Sequence, residues 1–189
     1  MNPIKVSGNW TEGYTLDKHT LYSVPLGENE YGHMTFDTKR TELGELLYKM
    51  KYNGNTDTSA EILSLISPFL DDWLQNKNID FVIPTPPTKK RKLQPVFAVT
   101  LAIARHYGLN YDLSVFKKTS DLQAKNMPEG SKDLNGCIEM VKHSTRQHNV
   151  LLVDDLYQTG STAKECVRLL LKDENISNVY YLALTRSKT

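Results

Sequence analysis

Residues 150–162, VLLVDDLYQTGST, constrain the fold of this chain more than any other stretch. Val150-Leu151-Leu152-Val153 is too continuously aliphatic for a strand with one wet face. It fits a strand buried on both faces of a parallel sheet. Asp154 and Asp155 follow where that strand is expected to end, and a polar turn, Tyr157-Gln158-Thr159-Gly160-Ser161-Thr162, comes next. Beyond it Ala163, Cys166, Val167, Leu170 and Leu171 recur at helical spacing and predict one buried helix face over 162–172. The unit is strand, acidic pair, glycine- and hydroxyl-bearing turn, helix.

Such a turn suits an anion. The first N–H groups of a helix lack internal partners, and the helix dipole favours negative charge there. Gly160 allows close approach of the backbone, and the hydroxyls of Thr159, Ser161 and Thr162 can donate to phosphate oxygens. Asp154 and Asp155 would repel a phosphate, so they suit neighbouring hydroxyls or a divalent cation. A purely structural reading has Asp155 starting a turn and Ser161 capping the helix. Other phosphate motifs are excluded. No Gly-Lys-Ser/Thr loop is present, and no Gly-x-Gly-x-x-Gly follows a strand. A receiver-type reading of VLLVDD needs further strands, and too little of this sequence follows Asp155 to supply them.

With 189 residues, one domain with a real core is expected. A net charge of +1 gives direct nucleic-acid binding no support. Cys137 and Cys166 lie in apolar-patterned segments, as buried reduced thiols of a cytoplasmic protein would. No apolar run approaches a membrane span and no signal-peptide core is evident, so no membrane partner is expected.

The glycines and aromatics of residues 1–36 predict short strands in hairpins, for example 20–24 and 33–36. His19 and His33 read as surface or strand residues. Asp37 or Thr38 is expected to cap a helix whose face is Leu43, Leu46, Leu47 and Met50, ended by Asn53-Gly54-Asn55. The stripe Ile62, Leu63, Ile66, Phe69, Leu70, Trp73, Leu74 predicts a second helix, split or kinked at Pro68. A strand over 80–84 leads into a basic loop containing Thr85, Lys89, Lys90 and Arg91, placed where α/β sheets bind anions. A helix over 94–107 stopped by Gly108 comes next, then a strand at 113–116 and a long polar loop from Lys117 to Gly136. Strands at 137–141, 149–153 and 178–184 complete the sheet.

The 150–162 string resembles the phosphoribosyl-pyrophosphate motif of type I phosphoribosyltransferases. Within that superfamily the chain is most similar to ComF-like members. The likeness rests on Thr41-Glu42-Leu43-Gly44 leading to Lys49-Met50-Lys51-Tyr52-Asn53-Gly54, then Val82-Ile83-Pro84-Thr85-Pro86, then the 150–162 string, across residues 40 to 185. Where ComF-like chains carry Arg-Gly-Phe-Asn-Gln, this one reads Lys92-Leu93-Gln94-Pro95-Val96. Aromatic hairpins stand in place of a four-cysteine zinc module.

The resemblance implies a type I phosphoribosyltransferase fold, a mostly parallel sheet with helices on both faces. It divides the chain into an N-terminal hairpin and helix region, 1–56, serving as a hood or accessory element, and a phosphoribosyltransferase core, 57–189. Tyr157, Gln158, Thr159, Gly160, Ser161 and Thr162 would hold a 5′-phosphate. Asp154 and Asp155 would be the catalytic pair, facing ribose hydroxyls and, through them or water, Mg²⁺. Thr85, Lys89, Lys90 and Arg91 would face pyrophosphate, and the 117–136 loop would close as a lid. The implied reaction moves a phosphoribosyl group between phosphoribosyl pyrophosphate and a nitrogenous base. The implied ligands are phosphoribosyl pyrophosphate or a nucleotide, and a homodimer is allowed. The alternative is a non-catalytic sensing or accessory module related to ComF-type competence proteins.

Overall fold

The computed structural model of the chain describes residues 1–53, 58–87, 93–119 and 137–187. Its centre is a six-stranded sheet built from β1 (Ile4–Lys5), β2 (Glu12–Lys18), β5 (Phe81–Pro84), β6 (Asn110–Tyr111), β9 (His148–Tyr157) and β10 (Ile176–Arg186). The spatial order is β1-β2-β10-β9-β5-β6, and every pairing is parallel except β1 with β2. Helices α1 (Glu42–Asn53), α2 (Thr58–Trp73) and α3 (Pro95–Tyr107) cover one face, and α4 (Ser161–Leu170) covers the other. Two antiparallel ribbons stand apart from the sheet: β3 (Thr20–Glu28) with β4 (Met34–Arg40), and β7 (Phe116–Lys118) with β8 (Ile138–Met140).

The aliphatic run explains the layering. Leu151 and Val153 pack into the α1–α2–α3 core, while Val150 and Leu152 pack into the α4 core. Successive strand residues point to opposite faces, so a strand between two helical layers needs apolar side chains at every position. The neighbouring strand follows the same rule, with Leu182 and Leu184 on one side and Tyr181 and Ala183 on the other. Each full burial of such an aliphatic side chain contributes about 1.5–3 kcal/mol.

Several expectations are corrected. β9 does not stop at Val153 but continues through both acids to Tyr157, held in register by β10. β2 lies inside the parallel sheet, whereas the pattern of residues 1–36 predicts only hairpins. Asp37 and Thr38 belong to β4, and Thr41 caps α1 instead, its hydroxyl accepting from Gly44 N–H at 3.1 Å. α2 runs through Pro68 as one helix rather than two. Burial of Ile62, Ile66 and Leu70 along its inner face outweighs the roughly 3 kcal/mol penalty of an internal proline. The strand expected at 113–116 begins at Phe116, so Lys117 and Lys118 lie in β7 rather than in a loop. Leu171 falls outside α4 and is exposed, unlike the other four residues of its stripe.

The 94–107 helix appears as expected, with Pro95 in its first turn and Gly108 in the left-handed conformation at its end. Cys137 and Cys166 are buried free thiols. No helix among the described residues is long and apolar enough to cross a membrane.

Candidate functional site

The acidic pair sits near the carboxyl end of β9, between β10 and β5, where open α/β sheets receive ligands. The two acids have different surroundings. Asp154 faces the α4 side, where its carboxylate accepts from the Thr85 hydroxyl at 2.9 Å, the Tyr181 hydroxyl at 3.0 Å and the Asp155 N–H at 2.9 Å. Burial, followed by the neighbouring charge of Asp155, pushes its pKa up to about 6, and the three donors only partly offset this. Tyr181 is itself buried and stacks on Trp10 with ring centroids 4.6 Å apart.

Asp155 faces α1. Its carboxylate meets Lys51 Nζ at 2.9 Å, with the two side chains only 28% and 14% exposed. The sequence suggests two carboxylates that await ligand hydroxyls or a divalent cation. Instead α1 brings a lysine to one of them. The backbone carbonyl of Asp155 accepts from the Thr185 hydroxyl at 2.9 Å. That donation fixes the partner geometry of His19, whose Nδ1 lies 3.1 Å from the same hydroxyl and so donates to it. Burial, then the cations Lys51 and Arg40, hold the His19 pKa below its usual value.

The turn behaves as its residues suggest. Gly160 takes a left-handed conformation, φ 75°, and caps α4 without a side-chain bond. A Cβ there would lie 2.7 Å from the Tyr157 ring, so the position admits only glycine without rearrangement. Lys164 N–H donates to Gly160 O at 2.8 Å, which leaves the N–H groups of Ser161, Thr162 and Ala163 ahead of the first α-helical bond. The Thr159 and Ser161 hydroxyls lie 2.8 Å apart, and the first turn of α4 carries no carboxylate. Glu165, next along, is tied to Arg168 through two 2.7 Å bonds. The positive end of the helix therefore meets no internal counter-charge in its first turn.

The fold thus brings together Tyr157, Gln158, Thr159, Gly160, Ser161 and Thr162 with Asp154, Asp155 and Thr85. Thr85 is buried and serves Asp154. Lys89, Lys90 and Arg91 lie outside the described residues, as does 120–136, most of the expected lid. Among the described residues no cluster of three or more His, Cys, Asp or Glu gathers to hold a metal. The oxygen donors of Asp154 and Asp155 suit Mg²⁺ in kind, provided that a ligand contributes most of the coordination.

Sequence reasoning misses Lys51, His19, Tyr181 and Thr185. Lys51 has a signal, since it follows Met50 and lies four residues after Leu47 on the helix face that docks against the sheet. Tyr181 and Thr185 read only as strand residues.

No protein-family model and no curated protein matches the chain. Solved structures do. The chain is similar to an adenine phosphoribosyltransferase at 13% identity, over 87% of this chain and 86% of that one, with a TM-score of 0.50. It is similar also to the adenine phosphoribosyltransferase of Leishmania tarentolae at 12% identity, over 98% of this chain and 94% of that one, with a TM-score of 0.52. The fold is that of the type I phosphoribosyltransferases. The β9–α4 turn, read from the sequence as a phosphate loop, stands at the carboxyl end of an interior strand of that fold.

Proposed function

We propose that the chain binds phosphoribosyl pyrophosphate or a nucleoside monophosphate and transfers the phosphoribosyl group to or from a nitrogenous base. The supporting observation is the left-handed Gly160 turn, with its leading N–H groups and paired hydroxyls, directly after a strand carrying Asp154 and Asp155. The turn takes the 5′-phosphate. The acids take the ribose hydroxyls, with Asp155 exchanging Lys51 for the ligand. In transfer, the base nitrogen forms a bond to the anomeric carbon as the carbon–oxygen bond to pyrophosphate breaks. The fold supplies positioning and charge complementarity. Bound Mg²⁺, facing Asp154 and Asp155 through ribose hydroxyls or water, would neutralise charge on the leaving group. The cations of the 84–92 loop would assist, the segment between β7 and β8 would exclude water, and the N-terminal hairpins would select the base. A cytoplasmic location accords with the reduced thiols and the proposed substrates.

A second reading, binding without transfer, draws support from the Lys51–Asp155 pair, which satisfies one acid within the protein. Pyrophosphate release from phosphoribosyl pyrophosphate and Mg²⁺ across a panel of bases separates the two readings. The phosphate turn has its own test by calorimetry with ribose 5-phosphate. Thr162→Ala should weaken binding by about 1.5–3 kcal/mol, the usual worth of a hydrogen bond to a charged group. Gly160→Val should weaken it at least tenfold, by forcing a β-branched residue into left-handed backbone against Tyr157. Equal affinity in wild type and Gly160→Val removes the phosphate from this turn.

A further inference from the structure

His19 stands at the corner between β2 and β3, and only one of its ring nitrogens is engaged. The single hydroxyl proton of Thr185 goes to the Asp155 carbonyl at 2.9 Å. The proton between Thr185 and His19 therefore belongs to His19 Nδ1, 3.1 Å away. Burial, then Lys51 and Arg40, hold the His19 pKa below its usual value, which keeps the ring uncharged at neutral pH. An uncharged imidazole protonated on Nδ1 presents a lone pair on Nε2. That nitrogen has no partner among the described residues, and His19 is half-buried rather than sealed.

Lys51 loses its own partner once a ligand arrives. Its ammonium lies 2.9 Å from the Asp155 carboxylate, and its side chain is only 14% exposed. When sugar hydroxyls take Asp155, a lysine this enclosed has little water to turn to. An ammonium left unpaired in such a place is costly, so its new acceptor must come with the ligand. Position says which part of the ligand supplies it. The phosphate turn opens α4 on one face of the sheet, whereas Asp155, Lys51 and His19 gather toward α1 on the other. A ligand anchored by its phosphate at the turn and by its sugar at the acids meets Lys51 and His19 with its third group, the base.

We infer that this corner selects a base with a lactam edge, a ring N–H beside a carbonyl oxygen, over one with an amino group beside a bare ring nitrogen. The ring N–H donates to His19 Nε2, and the carbonyl oxygen accepts from Lys51. An amino base also offers His19 a donor, but its neutral ring nitrogen carries less negative charge than a carbonyl oxygen. It therefore complements the Lys51 ammonium less well. The inference rests on the phosphoribosyl reading of the β9–α4 turn and goes beyond it by naming the class of base.

Calorimetry on the full chain tests it, with inosine against adenosine monophosphate and uridine against cytidine monophosphate. The members of each pair differ only at that edge, and ribose 5-phosphate is the common baseline. In whichever ring size binds more tightly, the lactam member should exceed its amino partner in affinity by roughly tenfold or more. His19→Leu and Lys51→Met should each erase most of that ratio while changing ribose 5-phosphate affinity far less. His19→Gln, which keeps an acceptor at similar reach, should retain most of the preference. A merely structural role for His19 would weaken ribose 5-phosphate and both nucleotides alike.

An amino nucleotide that binds wild type as tightly as its lactam partner overturns the inference, whatever the variants do. Nucleotides that bind no tighter than ribose 5-phosphate overturn it too, and leave the phosphate turn standing. A preference that survives both His19→Leu and Lys51→Met overturns the roles given to those side chains. A Lys51→Met protein that loses phosphoribosyl pyrophosphate yet keeps the ratio gives the lysine to pyrophosphate instead. Failure of ribose 5-phosphate to bind wild type is a separate result, which removes the phosphate from the turn and this inference with it.

Discussion

Asp154→Asn is expected to stabilise the ligand-free protein at pH 7.5 while Asp155→Asn destabilises it, although the two residues are adjacent and chemically identical. Asp154 is partly buried, and its pKa is raised from 3.8 to about 6. A folded state that holds a proton more tightly than the unfolded chain gains stability below the unfolded pKa. It loses that contribution as pH rises from about 4 through about 6. By pH 7.5 the charged carboxylate costs on the order of 2–3 kcal/mol. Asparagine removes the charge but cannot accept from Thr85, Tyr181 and the Asp155 N–H as a carboxylate does. The net gain should therefore be about 1 kcal/mol. For Asp155→Asn the sign reverses, because a neutral amide there would leave Lys51, only 14% exposed, without its anion, at a cost of about 1–2 kcal/mol. Urea denaturation at pH 5 and pH 7.5 checks both. The Asp154→Asn advantage should shrink or vanish at pH 5, where wild-type Asp154 is largely protonated. A variant with the wild-type pH slope, or one less stable at pH 7.5, would mean that the Asp154 environment does not oppose its charge. Ligand stabilisation offers an independent reading. At a hundredfold excess over the dissociation constant, phosphoribosyl pyrophosphate with Mg²⁺ should stabilise wild type by about 2.7 kcal/mol. Asp154→Asn should lose most of that shift if its carboxylate serves the sugar.

What is legible in the sequence follows from the range of the forces involved. The run 150–153 and the turn 157–162 are local features. Apolar continuity identifies a strand buried on both faces, and a glycine among hydroxyls before an apolar stripe identifies a helix start. Both readings agree with the structure. The end of β9 is less legible, because Asp154 and Asp155 look like strand terminators until β10 supplies partners out to Arg186. Pro68 is a similar case, a local preference overridden by tertiary burial of Ile66 and Leu70. The neutralisation of Asp155 cannot be read locally, since Lys51 lies about a hundred residues away in the sequence and only the docking of α1 brings them together. His19 has no partner at metal-ligand spacing in the sequence. Its role depends on Thr185, which is still more distant along the chain.

Gly44 is where that long-range geometry is most exposed to a single substitution. Gly44→Ala, which normally favours a helix by about 1 kcal/mol, should here destabilise the protein by about 3 kcal/mol. A Cβ at position 44 would fall 2.1 Å from the backbone carbonyl oxygen of His19 and 3.2 Å from the Thr41 hydroxyl. Backbone cannot rotate aside as a side chain does, so α1 must move. The Thr41 hydroxyl donates to Lys18 O at 2.5 Å and accepts from Gly44 N–H, tying the start of α1 to the corner between β2 and β3. Moving α1 therefore strains that cap and unseats Leu43, Leu47 and Met50, all fully buried. Denaturation midpoints for wild type, Gly44→Ala and Thr41→Val separate the contributions. Thr41→Val loses only the cap and its hydrogen bonds, at about 1–2 kcal/mol. Gly44→Ala within about 0.5 kcal/mol of wild type would show that α1 is not held against His19. Because α1 also carries Lys51 to Asp155, the clash should reach the site. In a double-mutant cycle, Lys51→Met should cost less in the Gly44→Ala background than in wild type, since the displaced helix has already loosened the ion pair.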